Sequence, residues 1–182
     1  GAAPDAYSFL ASHLAARGYV VAAIQHDLEG DEAPASSGDI ATLRRPIWER
    51  GAANIAFVIE ALRARRLASE ERVLLVGHSQ GGDISMLYAG TRPDALAAVF
   101  SLDNRRMRIP RSDAVPLCTI RSNDFPADPG VLPTEEEQAR YRIAVFLSDI
   151  PHDAMTDEAN EEQRAEMLEA LEACLSSLTP SQ

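Results

Sequence analysis

The chain has 182 residues, of which 46% are hydrophobic and 25% charged, and its formal net charge is −11. This length and composition predict one globular domain over residues 1–182, with a core of ordinary size. The domain is predicted to be partial, because its sheet is expected to lack N-terminal strands. The negative charge repels phosphate backbones and anionic lipid, so neither nucleic acid nor a membrane surface is an expected partner. No apolar run reaches the ~20 residues that a membrane-spanning helix needs.

Helices and strands alternate along the chain, which predicts an α/β fold with a mostly parallel sheet flanked by helices on both faces. Asp5 is the predicted N-cap of a first helix that ends at Gly18. The apolar run over residues 19–24 then predicts a strand buried on both sides. A polar loop over residues 27–45 follows, and the second helix is expected to begin at about Pro46.

The rest of the chain repeats this alternation. Further strands are predicted at residues 73–76, 97–102, 117–120 and 143–147. Thr134 and Glu137 have the spacing of a capping box at the start of a short helix. Cys118 and Cys174 stand among apolar residues, which favours two separate buried thiols over a single bridge and makes the cytoplasm the default compartment. No metal-ligand or nucleotide-binding pattern is present, so no cofactor and no metal are expected.

Residues 77–81 read Gly-His-Ser-Gln-Gly and fit Gly-x-Ser-x-Gly between a predicted strand and a helix. In this context the serine stands on a strained turn that exposes its hydroxyl, and Gly77 and Gly81 are expected to relieve crowding there. Ser79 is therefore the predicted nucleophile. The helix N-terminus faces the same site, so the backbone amide of Gln80 is the predicted oxyanion donor. The alternative is a glycine-rich turn that only packs a helix on the sheet.

A serine nucleophile needs a base, and imidazole suits that role near neutral pH. When the serine follows a strand in this way, the chain order is Ser, then Asp or Glu, then His. His152 is the only histidine after Ser79 and is the predicted base. His13 is expected on the first helix, His26 at a strand end where it could line the pocket, and His78 as a support of the turn.

The acid that orients the base must lie between these residues and follow a strand. Asp124, in the loop that leaves the strand over residues 117–120, is the predicted acid. Asp103, one strand earlier, is the main alternative, and Asp128 is the third.

Four stretches carry a resemblance to a known family: residues 18–21, residues 77–82, the Asp124 loop and residues 151–157. On these stretches the chain resembles the α/β-hydrolase superfamily, and within it small esterases similar to dienelactone hydrolases and platelet-activating-factor acetylhydrolases. The resemblance implies a serine esterase that acts on a small-molecule ester without a cofactor.

The front of the chain departs from that family. Members usually begin with three strands and a His-Gly-x-Gly-like loop that supplies a second oxyanion amide, and residues 1–4 look like the tail of that loop. We therefore expect an N-terminally truncated sheet, in which the strand over residues 19–24 either lacks its neighbour or pairs directly with the strand over residues 73–76. Loss of one oxyanion donor typically costs about 10²–10³ in turnover.

The short connection between the strands ending at residue 102 and beginning at residue 117 leaves no room for a large lid. An open site for small esters is therefore expected. There are two alternatives. One is a non-catalytic binding module or an inactive fragment, and the other is peptidase, thioesterase or acyltransferase chemistry on the same scaffold. A homo-oligomer is compatible with the sequence.

Overall fold

The computed structural model describes residues 4–31, 33–67 and 72–176. Its centre is a four-stranded parallel sheet in the spatial order β1-β2-β3-β4. The strands are β1 (Val73–His78), β2 (Leu96–Leu102), β3 (Leu117–Arg121) and β4 (Ile143–Leu147). His78 pairs with Leu102, and Leu102 pairs with Ile120. The carboxyl ends of neighbouring strands are therefore level, and the loops that follow them meet at one edge of the sheet.

Helices cover both faces of this sheet, which confirms the predicted α/β architecture. The α-helices of the described ranges are α1 (Ser8–Ala16), α2 (Ile40–Ala64), α3 (Gln80–Thr91), α4 (Glu135–Tyr141) and α5 (Glu161–Ser176). One core, around Phe100 and Ile120, is closed by α1 and α5. The other, around Val99 and Leu117, is closed by α2 and α3. None of these helices has the length and apolar character needed to cross a membrane.

Residues 19–24 do not form the predicted strand. Within the described ranges they pair neither with β1 nor with any other strand, so the prediction of a buried strand is wrong, and so is direct pairing with β1. Val20 is 60% exposed. An apolar run favours extended backbone, but only a neighbouring strand can satisfy its amides and carbonyls in a ladder.

The first two helices begin elsewhere than predicted. A single 3₁₀ turn, Pro4–Tyr7, precedes α1, and the helix is capped by the Asp157 carboxylate, which accepts from the backbone N–H groups of Ser8 at 2.9 Å and Phe9 at 3.0 Å. Asp5 is not the cap, because a distant segment supplies a better-placed acceptor.

Helix α2 begins at Ile40 rather than at Pro46. The Asp39 carboxylate accepts from the backbone N–H of Thr42 and so caps the first turn. Pro46 then falls inside the helix. Two other predicted helix boundaries are confirmed. Gly18, at φ +87°, ends α1, and Thr134 and Glu137 form the capping box at the start of α4.

Cys118 of β3 and Cys174 of α5 are joined by a disulfide across the core. Both residues are buried, as expected, but the prediction of two separate thiols is wrong. The two residues are 56 positions apart, and only the packing of α5 against β3 brings them together. Disulfides persist in oxidising compartments, so the reason for a cytoplasmic default is lost.

Candidate active site

Ser79 occupies the sharp turn between β1 and α3. Its backbone has φ 53° and ψ −118°, a conformation that non-glycine residues rarely adopt. Its N–H donates to the carbonyl of Leu102 at 2.9 Å, so the turn is tied to the neighbouring strand. The structure therefore holds the Ser79 hydroxyl on a strained turn at the carboxyl edge of the sheet.

Close packing at this turn explains one of the two flanking glycines. A Cβ on Gly77 would overlap the backbone of Gly81 and Gly82, and a Cβ on Gly82 would lie 2.5 Å from the Ser101 hydroxyl oxygen. A Cβ on Gly81 would meet nothing within 4 Å. The expectation of crowding is therefore confirmed for Gly77 and wrong for Gly81.

His152 lies against Ser79, as the chain order predicts. The residue opens a 3₁₀ turn, His152–Ala154, after β4, and only 5% of it is exposed. Its Nε2 is 3.0 Å from the Ser79 hydroxyl oxygen. The hydroxyl can donate to this nitrogen, which makes the imidazole the group positioned to accept the serine proton.

Asp103, rather than Asp124, contacts the imidazole. The Nδ1–H of His152 donates to Asp103 Oδ2 at 2.6 Å. Asp103 is fully buried directly after β2, and its φ of 53° is again unusual for a residue with a side chain. Asp124 instead accepts from the backbone N–H of His152 at 2.8 Å, and Asp128 pairs with Arg106 at 3.1 Å. The prediction that Asp124 orients the ring is wrong.

The surroundings of Asp103 keep its carboxyl ionised. Burial raises the pKa of this carboxyl, but the hydrogen bond from His152, the charge of Arg121 and two hydrogen bonds from Ser122 together hold it below its ordinary value. The Arg121 guanidinium is 2.6 Å from Asp103 Oδ1. Ser122 donates its N–H at 3.1 Å and its hydroxyl at 2.8 Å. A charged acceptor on Nδ1 fixes the imidazole in the tautomer that leaves Nε2 free to accept a proton.

Arg121 is not among the site residues predicted from the sequence. It ends β3, is only 4% exposed, and also donates to the carbonyl of Asn104 at 2.7 Å. The available signal was an arginine directly after an apolar strand, because a buried guanidinium needs a carboxylate nearby. That signal favours Asp103 over Asp124.

Two rings lie beside His152. The His78 ring centre is 4.7 Å from that of His152, and Phe125 makes an edge contact at 5.5 Å. His78 Nδ1 is 2.8 Å from the Tyr7 hydroxyl. Burial, with a smaller effect from the charge of His152, lowers the pKa of His78 to about 4. Arg105 stacks on Phe125 at 4.2 Å, which places an apolar ring and a cation beside the base.

Gln80 is the first residue of α3, so its backbone N–H has no intrahelical acceptor. Its side chain donates to Asp27 at 2.9 Å, and Asp27 is 3.2 Å from Arg50 of α2. The loop after residues 19–24 and helix α2 therefore brace this residue. Its backbone amide remains at the N-terminus of α3, next to Ser79.

The other histidines lie apart from the Ser79 hydroxyl. His13 Nε2 is 2.6 Å from Glu172 of α5, and His26 lines a cleft beside α2. Burial lowers the pKa of His26, with opposing effects from Asp27 and Arg50. Within residues 4–31, 33–67 and 72–176, no group of three His, Cys, Asp or Glu side chains could hold a metal ion.

Solved structures share this architecture. The chain is 11% identical to a carboxylesterase of Nitrososphaera gargenis, over 71% of this chain and 73% of that chain, with a TM-score of 0.52. It is 16% identical to TT1662 of Thermus thermophilus, over 82% of this chain and 71% of that chain, also with a TM-score of 0.52. No protein-family model and no curated protein matches the sequence. At these identities the likeness concerns the fold alone.

Proposed function

We propose that this chain, which has the α/β-hydrolase fold, is a serine hydrolase that cleaves a small carboxylic ester or a related acyl bond. The observation that carries the proposal is a chain of two hydrogen bonds. His152 is bonded to Asp103 at 2.6 Å and to Ser79 at 3.0 Å. Ser79 is assigned as nucleophile, His152 as general base and acid, Asp103 as the orienting acid, and Gln80 as the oxyanion donor through its backbone N–H.

Acylation follows from these contacts. His152 Nε2 takes the proton of the Ser79 hydroxyl as the oxygen attacks the carbonyl carbon of the ester. The carbonyl oxygen becomes an oxyanion and accepts a hydrogen bond from the Gln80 N–H. The intermediate collapses, the bond to the leaving alcohol breaks, and His152 gives its proton to that alcohol. An acyl-Ser79 ester remains.

Deacylation repeats the steps with water in place of serine. His152 removes a proton from a water molecule that attacks the acyl carbon. When the second tetrahedral intermediate breaks down, the proton returns to Ser79 and the carboxylic acid leaves. The ionised Asp103 stabilises the imidazolium in both halves of the reaction, and the contact with Arg121 keeps that carboxylate charged.

Two features favour small substrates. Only residues 103–116 connect β2 to β3, which limits any lid from this direction. Phe125, beside the imidazole, is 43% exposed and offers a modest apolar surface for an acyl or alcohol group. We expect nitrophenyl esters of short acids to be cleaved faster than those with long acyl chains. An increase in kcat/KM with acyl length beyond about a dozen carbons would contradict this expectation, since a lid or a long apolar groove is what such substrates need.

The direct test is covalent labelling with a fluorophosphonate, which reacts with an activated serine. We expect the label on Ser79, located by mass spectrometry, and its loss in Ser79→Ala and His152→Ala. His13→Ala is the matched control, because His13 pairs with Glu172 and lies apart from Ser79. A folded wild-type protein that takes no label would refute the proposal and leave a binding module as the remaining function.

Labelling alone does not identify the acyl bond. Esters, thioesters and peptides of matched acyl groups should therefore be compared at equal concentration. We expect the oxygen esters to give the highest kcat/KM. A higher kcat/KM for thioesters or peptides would change the assigned activity from esterase to thioesterase or peptidase.

A further inference from the structure

His78 contacts the base but has no part in the proton transfers described above. Its ring centre lies 4.7 Å from that of His152, with the two planes tilted by 43°. Its Nε2 is buried and makes no hydrogen bond of regular geometry among the described residues, and the backbone of His152 is the polar group that acts on this ring. A buried ring nitrogen without a well-formed hydrogen bond is costly, so the place of His78 beside the imidazole calls for a function.

The imidazole needs more than its hydrogen bonds to be fixed. Asp103 and Ser79 contact Nδ1 and Nε2, the two nitrogen atoms of the ring. Rotation about the side-chain torsions of His152 can still tilt the ring and move Nε2 away from the Ser79 hydroxyl, which weakens that hydrogen bond. Ring contacts oppose this tilt. Phe125, which is 43% exposed, supplies one of these contacts, and the half-buried His78 supplies another.

His78 is in turn held by Tyr7. The Tyr7 hydroxyl is 2.8 Å from His78 Nδ1, and the two rings meet edge to face at 5.8 Å. The turn that contains Tyr7 is tied to the segment after His152, because the N–H of Asp157 donates to the carbonyl of Ala6 at 2.8 Å. Tyr7, His78 and His152 thus belong to three segments that are fixed to one another.

Charge makes this arrangement compatible with catalysis. Burial raises the pKa of Tyr7 to about 12, and burial lowers the pKa of His78 to about 4. At neutral pH the phenol therefore keeps its proton to donate to Nδ1, and the His78 ring is uncharged. The other ionisable groups that act on His78 are His152, Asp103 and Asp153. A neutral neighbour does not repel the imidazolium that forms on His152.

We infer that Tyr7 and His78 are positioning residues, which hold the His152 imidazole at the angle required for proton transfer with Ser79. The inference rests on the proposed hydrolase function, since the angle matters only if His152 moves a proton. It assigns His78, next to Ser79 in the Gly-x-Ser-x-Gly motif, and Tyr7, 71 positions away from His78, to the same task.

The test measures kcat and KM for a small nitrophenyl ester, with kcat divided by the number of sites titrated by a fluorophosphonate. We expect His78→Ala to lower kcat by about 100-fold with KM nearly unchanged, because misplacement of a reacting group acts on the chemical step. Tyr7→Phe should lower kcat by about fivefold, as the loss of one neutral hydrogen bond predicts. His78→Phe keeps a ring beside His152 but loses the hydrogen bond from Tyr7, so its kcat should fall by about fivefold, as in Tyr7→Phe, and not by 100-fold. Tyr141→Phe and His13→Ala are the matched controls.

Two further readouts separate positioning from folding. The downfield proton resonance of His152 Nδ1–H should shift or broaden in His78→Ala and persist in His78→Phe. The acid limb of kcat/KM against pH should move in His78→Ala and stay in place in both controls. Unchanged kcat per titrated site and an unchanged resonance in a folded His78→Ala would overturn the inference. If that variant does not fold, wild-type kcat in Tyr7→Phe would overturn it.

The two proposals fail in different ways. A wild-type protein that neither hydrolyses esters nor takes the label would refute the proposed hydrolase. In that case the Nδ1–H resonance of His152, compared between wild type and His78→Ala, still reports whether His78 fixes the orientation of the His152 ring.

Discussion

The substitution Asp103→Asn tests the assignment of the acid. An ionised Asp103 only accepts hydrogen bonds, so it requires the proton of His152 on Nδ1. The asparagine amide can donate to Nδ1, which favours the tautomer with its proton on Nε2, facing Ser79. That tautomer cannot accept the serine proton, and loss of the correct tautomer lowers kcat by about 10⁴ in triads of this kind.

The same substitution should also destabilise the fold. Asp103 is fully buried and 2.6 Å from the Arg121 guanidinium, which is itself only 4% exposed. Removal of one partner of a buried ion pair costs about 3–5 kcal/mol. The folded-state pKa of Asp103 is depressed, so its stabilisation is complete above the unfolded pKa and is lost as the pH falls through the folded value. Asparagine does not titrate, so the variant should lack this acid-dependent loss.

Asp124→Asn is the matched control for this experiment. Asp124 accepts from the backbone N–H of His152, and the carbonyl oxygen of asparagine can accept the same bond. We expect kcat within about fivefold of wild type, since a neutral hydrogen bond contributes little. The assay is kcat per titrated site with a short nitrophenyl ester, together with urea unfolding from neutral to acid pH. Near-normal kcat in Asp103→Asn, with a large loss in Asp124→Asn, would refute the geometry.

Three further predictions concern the scaffold. Replacing Cys118 and Cys174 together by alanine should lower the free energy of unfolding by about 4 kcal/mol, the chain-entropy value for a loop of this length. Urea unfolding measures this loss, and an unchanged midpoint would contradict the presence of a stabilising disulfide. Because the pKa of His78 falls from its ordinary value of 6.5 to about 4, the native state binds fewer protons than the unfolded state between these values. The contribution of His78 to the free energy of unfolding is therefore fully present above the unfolded pKa and should fall by about 3 kcal/mol as the pH drops towards 4. His78→Phe should flatten this pH dependence in urea titrations. The same slope in wild type and in His78→Phe would contradict the lowered pKa of His78. Gly77→Ala should abolish labelling of Ser79, because its Cβ overlaps the backbone of Gly81 and Gly82, whereas Gly81→Ala should label at the wild-type rate; equal labelling of the two variants would show that the turn is not closely packed.

Much of the site could be predicted because its signals are local. A strand, Gly-x-Ser-x-Gly and a helix define the turn at Ser79 within a short stretch of chain. His152 followed from chain order, since no other histidine comes after Ser79. The single domain and the homo-oligomer stay predictions.

The rest depends on contacts between distant residues. Asp103 and Asp124 both follow strands, and the choice between them is made by the direction of a side chain at positive φ and by the charge of Arg121. The disulfide likewise depends on where α5 packs. Residues 19–24 have the composition of a strand, but composition cannot supply a partner.

The position of β1 at the margin of the sheet has a consequence for hydrogen exchange. Among the described residues β1 pairs only with β2, whereas β2 and β3 each pair on both sides. Amides on the unpaired side of β1 should therefore exchange through small local openings, and those of β2 and β3 only through larger ones. Ser79 follows the less protected strand, while Asp103 follows a protected one. Local opening of β1 would separate the serine from its base while the centre of the sheet stays folded. Activity should consequently disappear, reversibly, at temperatures below the global unfolding transition.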